Sequence, residues 1–466
     1  MSRKVALPCA GLIHWGVHFL RFGIAACLLL SLWTTPALAA PSKESKLLAW
    51  VSARLPPGGA VVAAPSGVAL THTARRGDTV DTIAEAYLDL TAVYLPVDLA
   101  AEIAHGNHVG HGPLTPGARI AIPHVLTEPY EASRNARLPD ADLATTRGLY
   151  VRGDTAARPA FEALLERMAE RGIDTIVLDA KDYDGLLTYP SRVALANDAG
   201  AVKHPPIRDL ARTLRLAHKK GIRVAVRISC FEDELMARAR PLLSVRSKAG
   251  NAYRIGWLEP SNPDVHAYVI ALAEEAMDAG ADEIQLDYVR YPVLGIHNAD
   301  FHLAERGLSK PIVIRDFVRK VHAATRARGV PLTLDVFGVV ALGKRADIES
   351  LGQDPVLLAR ECEVLSPMAY PSHFAPGFLG KDEPGDHPEL VGYATRAFLG
   401  QMPAAAKRHA LVRPWLQAMH WKSPSYSPSY LAAEVHSARA AGAAGWMMWN
   451  PGQDYRYAWI AVPKPR

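Results

Sequence analysis

Cysteine is scarce in this chain: four in 466 residues, of which only Cys230 and Cys362 lie beyond the first 40. That count excludes a disulfide-stapled scaffold. Both of those cysteines sit in apolar, strand-like runs and read as buried thiols, with a single disulfide between them as the alternative. A dense Lys/Arg stripe interleaved with aromatics is also missing. The formal charge is +5, and Arg3, Lys4 and Arg21 account for three of it, so a nucleic-acid partner is not expected. There is no Gly-x-Ser-x-Gly elbow and no phosphate-binding Walker loop. The spacing of Val151-Arg152-Gly153-Asp154-Thr155 is not that of a dinucleotide fingerprint. No cofactor is expected. His105-x-x-His108-x-x-His111 reads as a solvated loop rather than a metal site, so no metal is assigned. With 49% hydrophobic and 21% charged residues, what remains is an ordinary globular composition, long enough for one large domain and a small one.

The first 39 residues hold basic residues and no acid. Arg3, Lys4 and Arg21 precede the apolar run Phe22 to Trp33, and Pro36-Ala37-Leu38-Ala39-Ala40 follows. This is the layout of a secretory signal cleaved after Ala39. The run is shorter than the ~20 residues that cross a bilayer. Ile24-Ala25-Ala26-Cys27 also fits a lipoprotein signal. An extracytoplasmic location (periplasm, cell envelope or secreted) follows, with no stable membrane span after cleavage.

Residues 40–70 read as a linker, and 71–123 as a small module. In the module, Arg76-Gly77-Asp78-Thr79 turns into Val80-x-x-Ile83-Ala84-x-x-Tyr87, whose apolar positions share one helical face. Asp78 and Thr79 are suited to cap that helix. A second helix around Leu99 to Ala104 ends near Gly106-Asn107, and Leu114-x-x-Gly117-x-x-Ile120-x-Ile122-Pro123 reads as turn plus strand. With these residues the segment resembles a LysM module, a βααβ (α+β) fold that binds N-acetylglucosamine-containing glycans such as peptidoglycan or chitin. The resemblance places sugar against Gly77, Asp78 and Thr79 and the region around Asn107. The stretch Leu88 to Asp98 is longer and more apolar than the family's. Residues 124–146, rich in Pro, Glu, Ala and Arg, read as a second linker.

From 147 to 459, eight β-branched or apolar runs alternate with amphipathic helical patterns, leaving 460–466 as a tail. The runs begin at Gly148, Thr175, Arg223, Glu283, Leu332, Glu363, Val412 and Gly445. Eight βα units predict an α/β chain folded as a (β/α)8 barrel. Barrel chemistry sits where the strands end, and there this chain places ionisable groups. Asp179 and Asp182 end the second run, Arg227 the third, Gln285 and Asp287 with Arg290-Tyr291 the fourth, and Asp335 the fifth. A buried unpaired carboxylate costs several kcal/mol, so compensation by partners or function is expected. Alternation puts Gln285 and Asp287 on one face and Thr333 and Asp335 on one face. Two carboxylates of different protonation are what glycosidic cleavage uses. The alternative for each Asp is an ion pair tying strand ends, such as Asp179 with Lys181 or Arg227. Tyr291, Tyr370, Trp415 and Trp449 are placed to stack on sugar, and Gln417 and Asn450 to bond hydroxyls. For each aromatic the competing reading is core filling.

The order Val177-Leu178-Asp179-Ala180-Lys181-Asp182, Gly185-x-x-Thr188-Tyr189-Pro190, Arg227-x-x-x-Phe231-x-Asp233, Trp257-Leu258-x-Pro260, Asp282 to Pro292 and Asp335-Val336-Phe337-Gly338 resembles a poorly characterised bacterial family labelled "putative glycosyl hydrolase". Its barrel is distantly similar to α-amylase-like glycosidases. That resemblance implies Asp287 as nucleophile and Asp335 as acid/base, with Asp179 and Asp182 in reserve and Arg227 holding a carboxylate ionised. The amylase-type acid is a Glu, from which Asp335 departs. The function expected is an exported glycoside hydrolase, retaining in mechanism, acting on an envelope polysaccharide and anchored by its LysM module. The alternative is a non-catalytic glycan-binding or structural cell-wall protein. N-terminal sequencing of the protein recovered from the cell envelope is expected to begin at Ala40, and a start at Met1 refutes cleavage.

Overall fold

The structure is a computed structural model that describes residues 42–464, apart from 66, 130–137, 139–142, 254 and 405–409. The expected signal segment, and part of the second expected linker, lie outside the described residues.

The first unit is a three-stranded antiparallel sheet against two helices. Its strands are Gly59–Ala64, Gly67–Thr73 and Arg119–Ile122, in that spatial order, and its helices are Val80–Tyr87 and Pro96–Asn107. The strand–helix–helix–strand core matches the expected pattern. Thr79 caps the first helix, accepting from the Thr82 amide while the Thr82 hydroxyl receives the Thr79 amide. Val80, Ile83, Ala84 and Tyr87 are all buried, as their spacing predicts. The region 40–70 is not a plain linker. It holds a helix, Lys43–Ser52, and the extra hairpin strand Gly59–Ala64. That strand covers the sheet edge and buries none of its residues completely, and Pro56-Pro57-Gly58 just before it hides it from a pattern search.

The apolar stretch between the two helices is a docking clasp. Leu88, Leu90 and Thr91 are buried. The Arg212 guanidinium, from a barrel helix, donates to the backbone carbonyls of Leu88 (2.7 Å) and Val93. The Tyr94 hydroxyl donates to Ala156 O at 2.7 Å and lies 2.9 Å from the Thr213 hydroxyl. Arg208 pairs with Glu85. Residues after the last strand continue the attachment: Leu126 N–H bonds Leu90 O, and Leu138 N–H bonds the Asp282 carboxylate on the barrel.

All eight predicted runs are barrel strands: Arg147–Val151, Thr175–Lys181, Arg223–Ser229, Glu283–Asp287, Leu332–Phe337, Val364–Met368, a seventh in two pieces (Leu411–Val412 and Trp415–Gln417), and Trp446–Trp449. Each pairs in parallel with its neighbour. The two pieces of the seventh strand are the two ends of the hydrogen-bonded order, the first on the sixth strand and the second on the eighth, so the sheet closes into a barrel. The ladder divides at Arg413-Pro414 because proline has no N–H to give. Helices such as Leu210–Lys219, Pro263–Asp278 and Lys310–Ala327 form the outer layer. Cys230 and Cys362 are buried free thiols, and burial pushes both thiols up. Among the described residues no helix is long and apolar enough to cross a membrane.

Arg212→Ala takes the guanidinium donor from the Val93 carbonyl and one of three donors from the Leu88 carbonyl, which keeps the Thr91 amide and hydroxyl, and removes a buried side chain from the seam. It is expected to cost on the order of 3 kcal/mol in urea unfolding and to raise amide exchange at 88–93; unchanged exchange there refutes the clasp.

Candidate active site

The barrel interior is plugged by Tyr150, Val177, Ala225, Tyr370, Trp415 and Met447. The strand sequences also turn a polar layer inward. Arg413, fully buried, meets Glu283 at 3.1 Å, and the Thr333 hydroxyl donates to the other Glu283 oxygen at 2.6 Å. Sequence reasoning missed Arg413 and Glu283. They sit near strand starts, where no chemistry is expected, and pair with each other across the hollow.

At the C-terminal ends the organising group is Arg227 on strand three. Its Nε and Nη2 donate to Asp287 Oδ2 at 3.1 and 2.8 Å. Its Nη1 donates to Asp179 Oδ1 and lies 3.4 Å from Asp182 Oδ1. Asp179 also accepts the Tyr150 hydroxyl on Oδ2. Three of the four expected carboxylates therefore meet around one guanidinium. Lys181 does not join them: a register shift after Asp179 turns it to a buried pair with Asp233 at 2.9 Å. Burial raises the Asp179 carboxyl to about 6, against the lowering effect of Arg227. Asp182, with 37% of its side chain exposed, is the most open of the three. Asp179 and Asp182 line a cavity of about 380 Å³ with Arg152, Lys203 and His204.

Asp335 is the fourth. Leu334 lies opposite Leu286 in the strand pairing, which sets Asp335 beside Asp287 at the next level. Its Oδ1 accepts from Gln285 Nε2 and Trp415 Nε1, both at 2.7 Å. Its Oδ2 is buried without a hydrogen-bond partner. Burial, then the charge of Asp287, pushes its carboxyl well above the ordinary range. Asp335 is 1% exposed and Asp287 8%. The two carboxyl groups thus sit on adjacent strands, with Asp287 beside Arg227 and Asp335 favouring the neutral form. Immediately after Asp287, Tyr288 has φ +50, a conformation bulky side chains rarely take, and its N–H returns to Asp287 Oδ1 at 2.6 Å.

Other expected contacts fall differently. Tyr291 is fully buried, packed edge-on to Phe301 at 4.9 Å, and does not reach the rim. Gln417 gives its amide to the Met419 and Trp421 carbonyls and the Ser423 hydroxyl, and accepts from the Ser372 amide. Asn450 bonds the Ala418 and Asp454 carbonyls and the Gly452 amide. Both brace loops instead of offering groups to sugar, because each lies where a strand runs into a turn with carbonyls to satisfy. Gln285 is spent on Asp335, and Trp415 is an interior donor to that same carboxyl. Arg290 lies over Trp257 (4.7 Å) and Phe337 (4.4 Å) and donates to Tyr291 O. Tyr370, buried in the interior plug, and half-buried Trp449 pack together just past strands six and eight, rings 5.3 Å apart. They continue through His373 to Trp421, which is 44% exposed, with ring separations of 5.1 and 5.0 Å. His373 and Trp421 were not among the expected residues; the aromatic spacing after strands six and seven was the available signal.

In the first unit, Asp78 accepts from the Arg75 amide and contacts His72 Nε2 at 2.8 Å, and those bonds, His72 first, hold its carboxyl below the usual range. Asn107 donates to Ile103 O and Ala121 O and accepts from Ala121 N–H. Thr79 is the helix cap. These three side chains act as turn and cap residues, tied up by the backbone they organise. Gly77, at φ +93, leaves open space above the turn.

A family model described as "Putative glycosyl hydrolase domain" matches residues 148–455. No curated protein matches the chain. Among solved structures, a hypothetical protein from Ruminiclostridium thermocellum ATCC 27405 is 32% identical over 40% of this chain and 97% of its own, with a TM-score of 0.37. The PgaB (BpsB) glycoside hydrolase domain from Bordetella bronchiseptica is 16% identical over 69% of this chain and 99% of its own, with a TM-score of 0.50, a likeness of fold. The spore cortex-lytic enzyme SleL from Bacillus megaterium QM B1551 is 12% identical over 84% and 86%, with a TM-score of 0.41.

Arg227→Met strips Asp179 and Asp287 of their shared counter-charge and is expected to cost about 3–5 kcal/mol near neutral pH. The stranded acids then hold protons in the folded state that the unfolded state releases near pH 4. Stability should fall as pH rises from about 4 through 6 and beyond. Urea unfolding at pH 5 and pH 8 measures this, and equal destabilisation at both pH values refutes the shared-cation account.

Proposed function

We propose a function from one premise: the chain belongs to the family described as "Putative glycosyl hydrolase domain", which spans residues 148–455. The barrel hydrolyses a glycosidic bond in an envelope polysaccharide. The observation that carries the proposal is the placement of Asp287, gripped by Arg227, beside Asp335, whose burial on the neighbouring strand pushes its carboxyl well above the ordinary range. An ionised carboxylate beside a protonated one is the division of labour that glycosidic cleavage needs. Asp287 attacks the anomeric carbon while Asp335, whose Oδ2 has no acceptor in the protein, gives its proton to the departing oxygen. Adjacent parallel strands lie about 4.8 Å apart, which supports carboxyls about 5 Å apart and hence retention of configuration. In the second step Asp335 takes the proton from the incoming water. Half-buried Trp449 offers a ring face to the sugar.

The first unit serves, in this reading, as a LysM-type anchor to an N-acetylglucosamine-containing glycan such as peptidoglycan, and the N-terminal segment as an export signal. The βααβ core and the open turn at Gly77 support the anchor. The clasp makes it a fixed arm, so local substrate concentration rises without a slack tether.

One observation favours a second reading. Asp335 is sealed and Asp287 nearly so, which suits a barrel that binds glycan without cutting it.

Purified protein incubated with peptidoglycan, chitin and other envelope polysaccharides should release reducing ends. Asp287→Asn should lower kcat/KM by at least about 10³-fold. Wild-type activity should fall as pH rises through the elevated Asp335 value, because the acid must keep its proton. Asp335→Asn should lose that limb and recover partly on substrates with good leaving groups. Full activity in Asp287→Asn rejects the assignment, and binding without turnover selects the second reading.

A further inference from the structure

Beside the carboxylates, on the rim of strands five and six, lies a cavity of about 510 Å³. Its walls are Phe337, Val339, Leu342, Met368, Phe374 and Phe378, and the polar side chains that reach it are those of Lys344, Tyr370 and His373. Phe374 and Phe378 stack nearly parallel, ring centres 4.4 Å apart. Gly338 shapes the floor: a Cβ there would meet the Met368 carbonyl oxygen at 2.4 Å, so only glycine lets this loop lie against strand six.

The lining decides what fits. A pyranose can lay one C–H face on an aromatic ring, but its rim carries hydroxyls, and enclosing that rim among phenylalanines leaves them without partners at a cost of about 1–3 kcal/mol each. An alkyl or acyl chain has no such cost and gains from every methylene buried. The cavity lies at the end of the strand that carries Asp335, although neither Asp335 nor Asp287 lines it. Phe337 follows Asp335 by two residues on the same strand. Tyr370 lines the cavity, stacks on Trp449 and lies within electrostatic reach of both Asp335 and Asp287. Through Tyr370 a chain in this chamber and a sugar against Trp449 are close enough to belong to one molecule.

We infer that this chamber is a subsite for an apolar substituent, an alkyl or acyl chain, carried by the saccharide next to the bond that reacts. The inference rests on the hydrolase reading for the reacting bond, and on the lining alone for the chain. Lys344, exposed at the edge, suits an anionic group where chain and sugar join.

Titration calorimetry of the full protein with methyl, butyl and octyl β-D-glucopyranosides, below micelle-forming concentrations, tests it without requiring turnover. Affinity should rise steeply with chain length, up to about fourfold per added methylene, until the chamber fills. Val339→Asp, at a half-open position, and Phe378→Ser should flatten the series while leaving the weak binding of the methyl glycoside unchanged. Affinity independent of chain length in the wild type, or an unflattened series in both variants, overturns the subsite. A chain-length series without hydrolysis of any glycan leaves the subsite standing and removes the hydrolase; hydrolysis with no chain-length dependence does the reverse.

Discussion

One guanidinium holds the mouth of this barrel together. Arg227 lies inside the barrel with carboxylates on both sides: from strand three its Nη1 reaches Asp179 on strand two and Asp182 just past it, and its Nε and Nη2 reach Asp287 on strand four. Without it, Asp179 and Asp287 would be buried charges with no counter-ion, a state that proteins avoid by protonation or by unfolding. With it, the acids keep distinct characters a few ångströms apart. Asp179 shares its cation and a phenol, Asp287 takes two N–H bonds, and Asp335, outside the cation's direct reach, is left to burial and to Asp287's repulsion. The unlike surroundings of these acids follow from where a single positive charge stops.

Much of the fold was legible in the sequence, and particular residues show why. Runs such as Val224-Ala225-Val226 and Leu332-Thr333-Leu334 can only be strands buried on both faces, and glycines such as Gly172, Gly221 and Gly329 mark the helix ends between them. The seventh strand reads as one run from Val412, and its division at Pro414, where proline gives up a ladder bond, comes only with the structure. The hairpin strand at 59–64 was hidden by Pro56-Pro57-Gly58, which states only that the chain turns.

At the site the legible part was which acids end which strands. Alternation puts Gln285 with Asp287 and Thr333 with Asp335 on shared faces, and the pair of Asp179 with Arg227 is the ion pair expected as the alternative to a catalytic acid. Asp182, past the end of its strand, is beyond what alternation can place. The rest depends on side chains reaching across the barrel, which no local pattern encodes. Trp415 closes over Asp335 from the far side. Gln417 and Asn450 look like sugar ligands by type, yet loop carbonyls claim their amides first. Asp78 and Asn107 in the first unit repeat the lesson: a short polar side chain beside a turn is taken by the backbone before any ligand arrives.

The clasp has an evolutionary side. Small binding modules are usually treated as beads, exchangeable because they share no surface with what they accompany. Here Tyr94 packs against the barrel's core and bonds Ala156, while Leu88 and Leu90 fill the first unit's own core and Leu88 gives its carbonyl to the barrel's Arg212. Moved onto another catalytic partner, this bead would carry a sticky, unmatched seam; cut away, it would leave the barrel's Arg212 facing water. The two halves of this chain are therefore joined by a seam that resists exchange.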